Sequence, residues 1–168
     1  MKLWQKDKAS LQEVEKFTVG NDREMDMYLA SFDVLGSLAH IEMLASVDLL
    51  TKEELTQLQQ ELKSIYKQIQ NGEFTLQDDV EDIHSQIELL LTKKLGDVGK
   101  KIHSARSRND QVLVDVKLFL RNELEELVKT IQPFFELLQT QSEKYKADLL
   151  PGYTHLQLAM PSSFGLWF

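Results

Sequence analysis

The stretch Val112-Leu113-Val114-Asp115-Val116-Lys117-Leu118-Phe119-Leu120, with its continuation to Leu149, decides the fold. Val112, Val116, Phe119, Leu124, Leu127, Ile131, Phe135, Leu138, Ser142, Tyr145 and Leu149 recur mostly at steps of three and four. That period is one stripe of a single very long helix. At 1.5 Å per residue such a helix spans roughly 55–60 Å. A chain of 168 residues has no core that needs such a rod. A near-heptad stripe of this length is normally buried against other long helices. Pro133 lies inside the stripe and predicts a kink. Pro151-Gly152 should end the helix.

The rest of the chain reads as helical too, and the expected class is all-α. Met25, Leu29, Phe32, Gly36, Ala39, Met43 and Val47 form one stripe. Thr51-Lys52-Glu53-Glu54 predicts a capping box, followed by Leu55, Leu58, Leu62, Ile65 and Ile69. Asn71-Gly72 suits a helix end, because glycine tolerates the left-handed geometry found there. Asp78 and Asp79 are expected to open a third helix, with Val80, Ile83, Ile87, Leu91 and Leu95 as its stripe and Gly96 as its end. Residues 96–108 predict a loop. The first 20 residues are polar and suit an extended arm. No strand-like alternation stands out. The domain reading is an N-terminal helical domain over 1–108, and the start of a long-helix bundle over 109–168.

Composition narrows the function. Hydrophobic residues make up 42% and charged residues 27%, a balance typical of soluble globular proteins. A net charge of −8 argues against a general nucleic-acid binder. There is no cysteine, so neither disulfides nor a cysteine metal site is expected. No signal-like segment or membrane-length apolar run is present, which makes the cytoplasm the default location.

Against this acidic background, Lys100, Lys101, His103, Arg106 and Arg108 form a local basic island just before the long helix. Arginine offers a bidentate fork to a carboxylate, and a helix start adds free amides. A solvated basic loop with a capping residue is the plainer reading. His155, beside Thr154 and Gln157 at a break between helices, has the near-neutral pKa of a general acid or base. A surface histidine in a turn is the plainer alternative. Glu81-Asp82-Ile83-His84 puts acids and a histidine on one turn, but no second cluster has metal-ligand spacing, so no metal is expected. His40 lies near the apolar stripe of its helix and suits a packed histidine. The residues alone reach a helical protein with an anion site.

Two strings go further. Ser107-Arg108-Asn109-Asp110-Gln111-Val112 and Gly152-Tyr153-Thr154-His155-Leu156-Gln157 together resemble the argininosuccinate lyase family, within the fumarase/aspartase superfamily. Phe32-Asp33-Val34-Leu35-Gly36-Ser37-Leu38-Ala39-His40 and Glu81-Asp82-Ile83-His84 extend the likeness, which runs from Phe17 onward. The resemblance implies three mainly helical domains and a homotetramer joined through long helices. It implies elimination of fumarate from argininosuccinate to give arginine, without a cofactor, at sites shared by three subunits. It assigns substrate binding to Ser107, Arg108, Asn109, Thr154 and Gln157, and acid/base work to His155. Glu81 and His84 would line the site. A sister lyase of the adenylosuccinate type is the alternative, against which the Ser-Arg-Asn-Asp-Gln string speaks. A helical interaction module is the non-enzymatic one.

The chain departs from the family pattern in places. Trp4 is followed by Gln5-Lys6-Asp7, where the family commonly has Gly-Gly-Arg-Phe. Gly20-Asn21-Asp22-Arg23 stands where many members carry a substrate-contacting serine. Members also continue well past Phe168, through a Ser-rich loop holding the catalytic base. The expectation is therefore an N-terminal portion that is inactive alone.

Overall fold

The computed structural model describes residues 17, 20–77 and 80–168. Helix α1 (Asp22–Asp26), a 3-10 turn (Met27–Leu29) and α2 (Ala30–Ser46) follow one another directly. Helix α3 covers Lys52–Gln70, and α4 covers Ile83–Leu95. After these come α5 (Asp97–Lys100), a second 3-10 turn (Lys101–His103), and the long α6 (Arg108–Lys144). Strands β1 (Leu149–Thr154) and β2 (Gln157–Ser163) then precede α7 (Phe164–Trp167). The chain divides into two compact units, one through Leu120 and one from Arg121.

Local chemistry explains most of the helix ends in the first unit. Thr51 and Glu54 make the expected capping box, with the Thr51 hydroxyl accepting from the Glu54 amide and Glu54 accepting from the Thr51 amide. Gly72, at φ 72°, closes the turn after α3. Helix α4 opens later than expected. Its cap is Asp82, whose Oδ1 accepts from the Ser85 amide at 2.6 Å. Asp78 and Asp79 lie outside the described residues, as does the arm before Phe17. The segment expected as a loop over 96–108 instead contains α5 and the 3-10 turn. Gly99 lets α5 lie on α4: a Cβ there would fall 2.4 Å from the Leu91 carbonyl carbon.

The core of this unit is made by Val34, Ile41 and Leu44 of α2, Leu58, Leu62 and Ile65 of α3, and Ile83, Ile87 and Leu91 of α4. The stripes read for α3 and α4 match it. The stripe read for α2 does not. Met43 and Val47 are exposed, and the buried face is Ala30, Asp33, Val34, Ser37, Ile41 and Leu44. Helix α2 carries apolar side chains on both faces, so its period alone cannot choose between them. Phe32 and Phe119 meet edge to face at 5.9 Å, and join the start of α6 to α2. Gly36 permits this closeness, since a Cβ there would stand 3.1 Å from Val114 Cγ1.

In the second unit α6 continues without a break through Pro133 and ends at Lys144, earlier than its stripe suggested. The chain then forms an antiparallel hairpin, β1 against β2, that the sequence reading had not foreseen. Ser142 donates to the Gly165 carbonyl at 2.6 Å, and the Phe168 ring stacks on Tyr145 at 6.0 Å. Leu124, Leu127, Val128, Ile131, Phe134 and Phe135 of α6 are exposed. Among the described residues no helix is long and apolar enough to cross a membrane.

Candidate functional site

Two turns hold the residues singled out from sequence. In the first unit, Ser107 caps α6. Its hydroxyl accepts from the Asp110 amide at 3.4 Å, and Asp110 accepts from the Ser107 amide at 3.0 Å. This reciprocal cap leaves Asn109 exposed on the first turn of a 37-residue helix, at its positive end. Arg108 is held from three sides. Its Nη1 donates to Gln111 Oε1 at 2.8 Å and its Nη2 to Ser85 Oγ at 3.4 Å, while Nε lies 3.8 Å from Asp82 Oδ2. Ser107, Arg108 and Asn109 are thus brought together.

The rest of the basic island is already engaged. Lys100 pairs with Asp97 at 2.7 Å, and Lys101 with Glu54 at 2.5 Å. Arg106 turns inward and donates to the buried Ser37 hydroxyl at 3.2 Å. Burial lowers the His103 pKa, and the neighbouring Arg108 and Arg106 push it the same way. His40 Nε2 lies 2.8 Å from the Ser104 carbonyl oxygen and ties α2 to this loop.

Beneath the turn lies a polar cluster that the sequence reading missed. His84 Nδ1 is 3.1 Å from Asp33 Oδ1 and 3.6 Å from Asp115 Oδ2. Gln111 Nε2 donates to Asp33 Oδ1 at 2.5 Å. All four side chains are buried. Burial alone would raise the Asp33 pKa, but hydrogen bonds from His84 and Gln111, with the charge of Arg106, hold it below the usual carboxylate range. Asp115 goes the other way: burial, then the charge of Asp33, push it up to about 8. Asp33, His84 and Asp115 present one ligand atom each within 4.8 Å, a donor set that suits a cation. The Arg106 charge, felt by both carboxylates, already offsets theirs. The signal in the sequence was faint: Gln111 and Asp115 are four apart, on the same face as Val112 and Phe119.

In the second unit Thr154, His155 and Gln157 occupy one hairpin tip. Thr154 pairs with Gln157, and the two residues between them, His155 at φ 50° and Leu156 at φ 63°, are both left-handed. That is the geometry of a two-residue primed turn, normally made by Asn-Gly or Asp-Gly. Two ordinary side chains there carry strain of about 1 kcal/mol or more each. All three site residues at the tip are exposed, so His155 is presented to solvent by a tight turn on a paired ladder. Of the two site-lining expectations, Glu81 is half-buried, while His84 belongs to the acid cluster.

The helical frame agrees with comparison to known proteins. A family described as "Lyase" matches residues 5–168, and the chain belongs to that family. Within it, the chain is 62% identical over 167 residues to an argininosuccinate lyase of Bacteroides thetaiotaomicron, covering 99% of this chain and 37% of the relative. An argininosuccinate lyase of Thermotoga neapolitana is 39% identical over 166 residues, covering 99% of this chain and 42% of the relative. The chain therefore spans about two fifths of these relatives' length. The crystal structure of beta-carboxy-cis,cis-muconate cycloisomerase from Acinetobacter calcoaceticus superposes with a TM-score of 0.65 at 20% identity, over 92% of this chain and 35% of that one. That likeness extends to the fold alone.

Proposed function

We propose that this chain is the N-terminal part of an argininosuccinate lyase, which eliminates fumarate from argininosuccinate and releases arginine. The observation that carries the reading is the 62% identity over 167 residues to a relative of that name. Both turns described above fall inside that span. On this reading 1–108 belong to the N-terminal helical domain, and 109–168 open the long-helix bundle. The exposed apolar side chains of α6 suit burial against the same helix of other copies, in a cytoplasmic homotetramer.

The chemistry follows from the residues. Removing a proton beside a carboxylate places negative charge on that carboxylate before the C–N bond breaks. Donors already aimed at it lower the barrier. Arg108, Asn109 and the free amides at the α6 start supply them, with Ser107 fixing the turn. Thr154 and Gln157 hold the substrate from a second subunit, and His155 moves a proton between them. Glu81 stands at the edge of this site, and His84 supports it from below.

The test is argininosuccinate turnover by the full-length protein, followed as fumarate release. Asn109→Ala and His155→Asn should each lower kcat/KM by roughly a hundredfold or more, the scale of one lost oxyanion donor or acid/base group. Wild-type turnover of adenylosuccinate in preference to argininosuccinate would overturn the reading.

A further inference from the structure

The side-chain amide of Gln111 is buried between two groups of opposite demand. On one side is the Asp33 carboxylate, which only accepts hydrogen bonds. On the other is the Arg108 guanidinium, which only donates. A carboxamide between them has one workable orientation. Its NH2 must face Asp33, as seen at 2.5 Å, and its oxygen must then face Arg108 Nη1, as seen at 2.8 Å. Turned over, it would set oxygen against carboxylate and NH2 against guanidinium, two buried mismatches. Asp33 is fully buried on α2, lies 78 positions from Gln111, and has no contact with solvent.

We propose that Asp33 is a positioning residue for the Arg108 anion contact, acting through the fixed amide of Gln111. The inference rests on the lyase reading for what Arg108 binds, but not for the relay itself. His84 packs behind the relay, with Nδ1 3.1 Å from Asp33 Oδ1. Ser85 and Asp82, on the same first turn of α4, bracket the guanidinium on its far side. The arginine fork is thereby held at a set angle in the absence of ligand.

The test separates the relay from the reaction. Arginine side-chain NMR on residues 1–168 reports rotation of the Arg108 guanidinium, assigned through Arg108→Lys. KM and kcat of the full-length protein report its consequence. In the parent chain the Arg108 Nη signals should be slowed and resolved. Asp33→Asn lets the Gln111 amide turn, and Gln111→Met removes it. In both, the signals should collapse to fast rotation, and KM should rise roughly tenfold with a smaller change in kcat. The exchanged pair Asp33→Asn with Gln111→Glu restores the match, because the new amide donates to the new carboxylate and that carboxylate accepts from Arg108. It should recover both readouts.

Arg108 signals that stay unchanged in Asp33→Asn and Gln111→Met would overturn the proposal. So would a double variant no better than Asp33→Asn. If Asp33→Asn does not fold, the Gln111→Met comparison decides alone. If the relay responds while the full-length protein leaves argininosuccinate intact, the lyase reading falls and the relay stands.

Discussion

Asp115 lies beside Asp33 at the base of the α6 start with both of its carboxyl oxygens buried, and neither has a hydrogen-bond partner among the described residues. Burial and the Asp33 charge push its pKa up to about 8, far above the ordinary 3.8. The folded state therefore binds this proton more tightly than the unfolded chain does. The sign follows: stability conferred by the proton is full below about pH 4 and is lost as pH rises toward 8, at up to about 1.4 kcal/mol per pH unit. The depressed Asp33 works oppositely, and its share is lost only on strong acidification. Urea unfolding between pH 5 and 8.5 should show stability falling, and Asp115→Asn should flatten that slope. A parent chain equally stable at both ends would exclude a buried proton at Asp115.

Gly99 has no room for a methyl group. A Cβ would stand 2.4 Å from the Leu91 carbonyl carbon and 2.6 Å from the Thr92 nitrogen, both backbone. Gly99→Ala should cost about 1–3 kcal/mol, the usual range for overpacking. Thermal melts of the two chains compare them directly. The apparent loss should be accompanied by weakened protection of the Ile102 amide from hydrogen exchange.

The hairpin tip makes the opposite case. Leu156 is 98% exposed at φ 63°, so its side chain contributes no packing while its backbone is strained. Leu156→Gly should stabilise the hairpin by about 0.5–1 kcal/mol, because glycine enters this region freely. Hydrogen exchange of the β1 and β2 amides would register the gain as slower exchange near the turn.

Removing the α6 cap should affect two properties together. Ser107→Ala deletes the hydroxyl that accepts from Asp110 and should cost about 1 kcal/mol of stability. Under the proposed function it should also raise KM for argininosuccinate in the full-length protein, because the Arg108–Asn109 turn loses its anchor. Ser107→Thr keeps the hydroxyl and should largely restore both. A stable but kinetically normal Ser107→Ala protein would separate the cap from the site.

How far the sequence could be read depended on how one-sided each helix is. Leu58, Leu62 and Ile65 stand against a polar opposite face, and the α3 stripe was plain. Helix α2 gave the wrong face because Phe32, Leu35 and Met43 compete with Val34, Ile41 and Leu44. The hairpin escaped notice because β1 and β2 are largely exposed and alternate little between apolar and polar. Its turn uses His155 and Leu156 where glycine or asparagine would have announced it. The strings around Asn109 and His155 were legible as motifs. The Asp33–His84–Asp115 cluster was not, since three helices supply one member each and only their packing unites them.

The uncovered flank of α6 makes the protein's endurance a matter of how much of it is present. Leu124, Leu127, Ile131 and Phe135 standing in water are a standing cost that only a second surface removes. Where a second copy supplies that surface, mass action couples the copy's abundance to the melting temperature, and dilution should soften the fold.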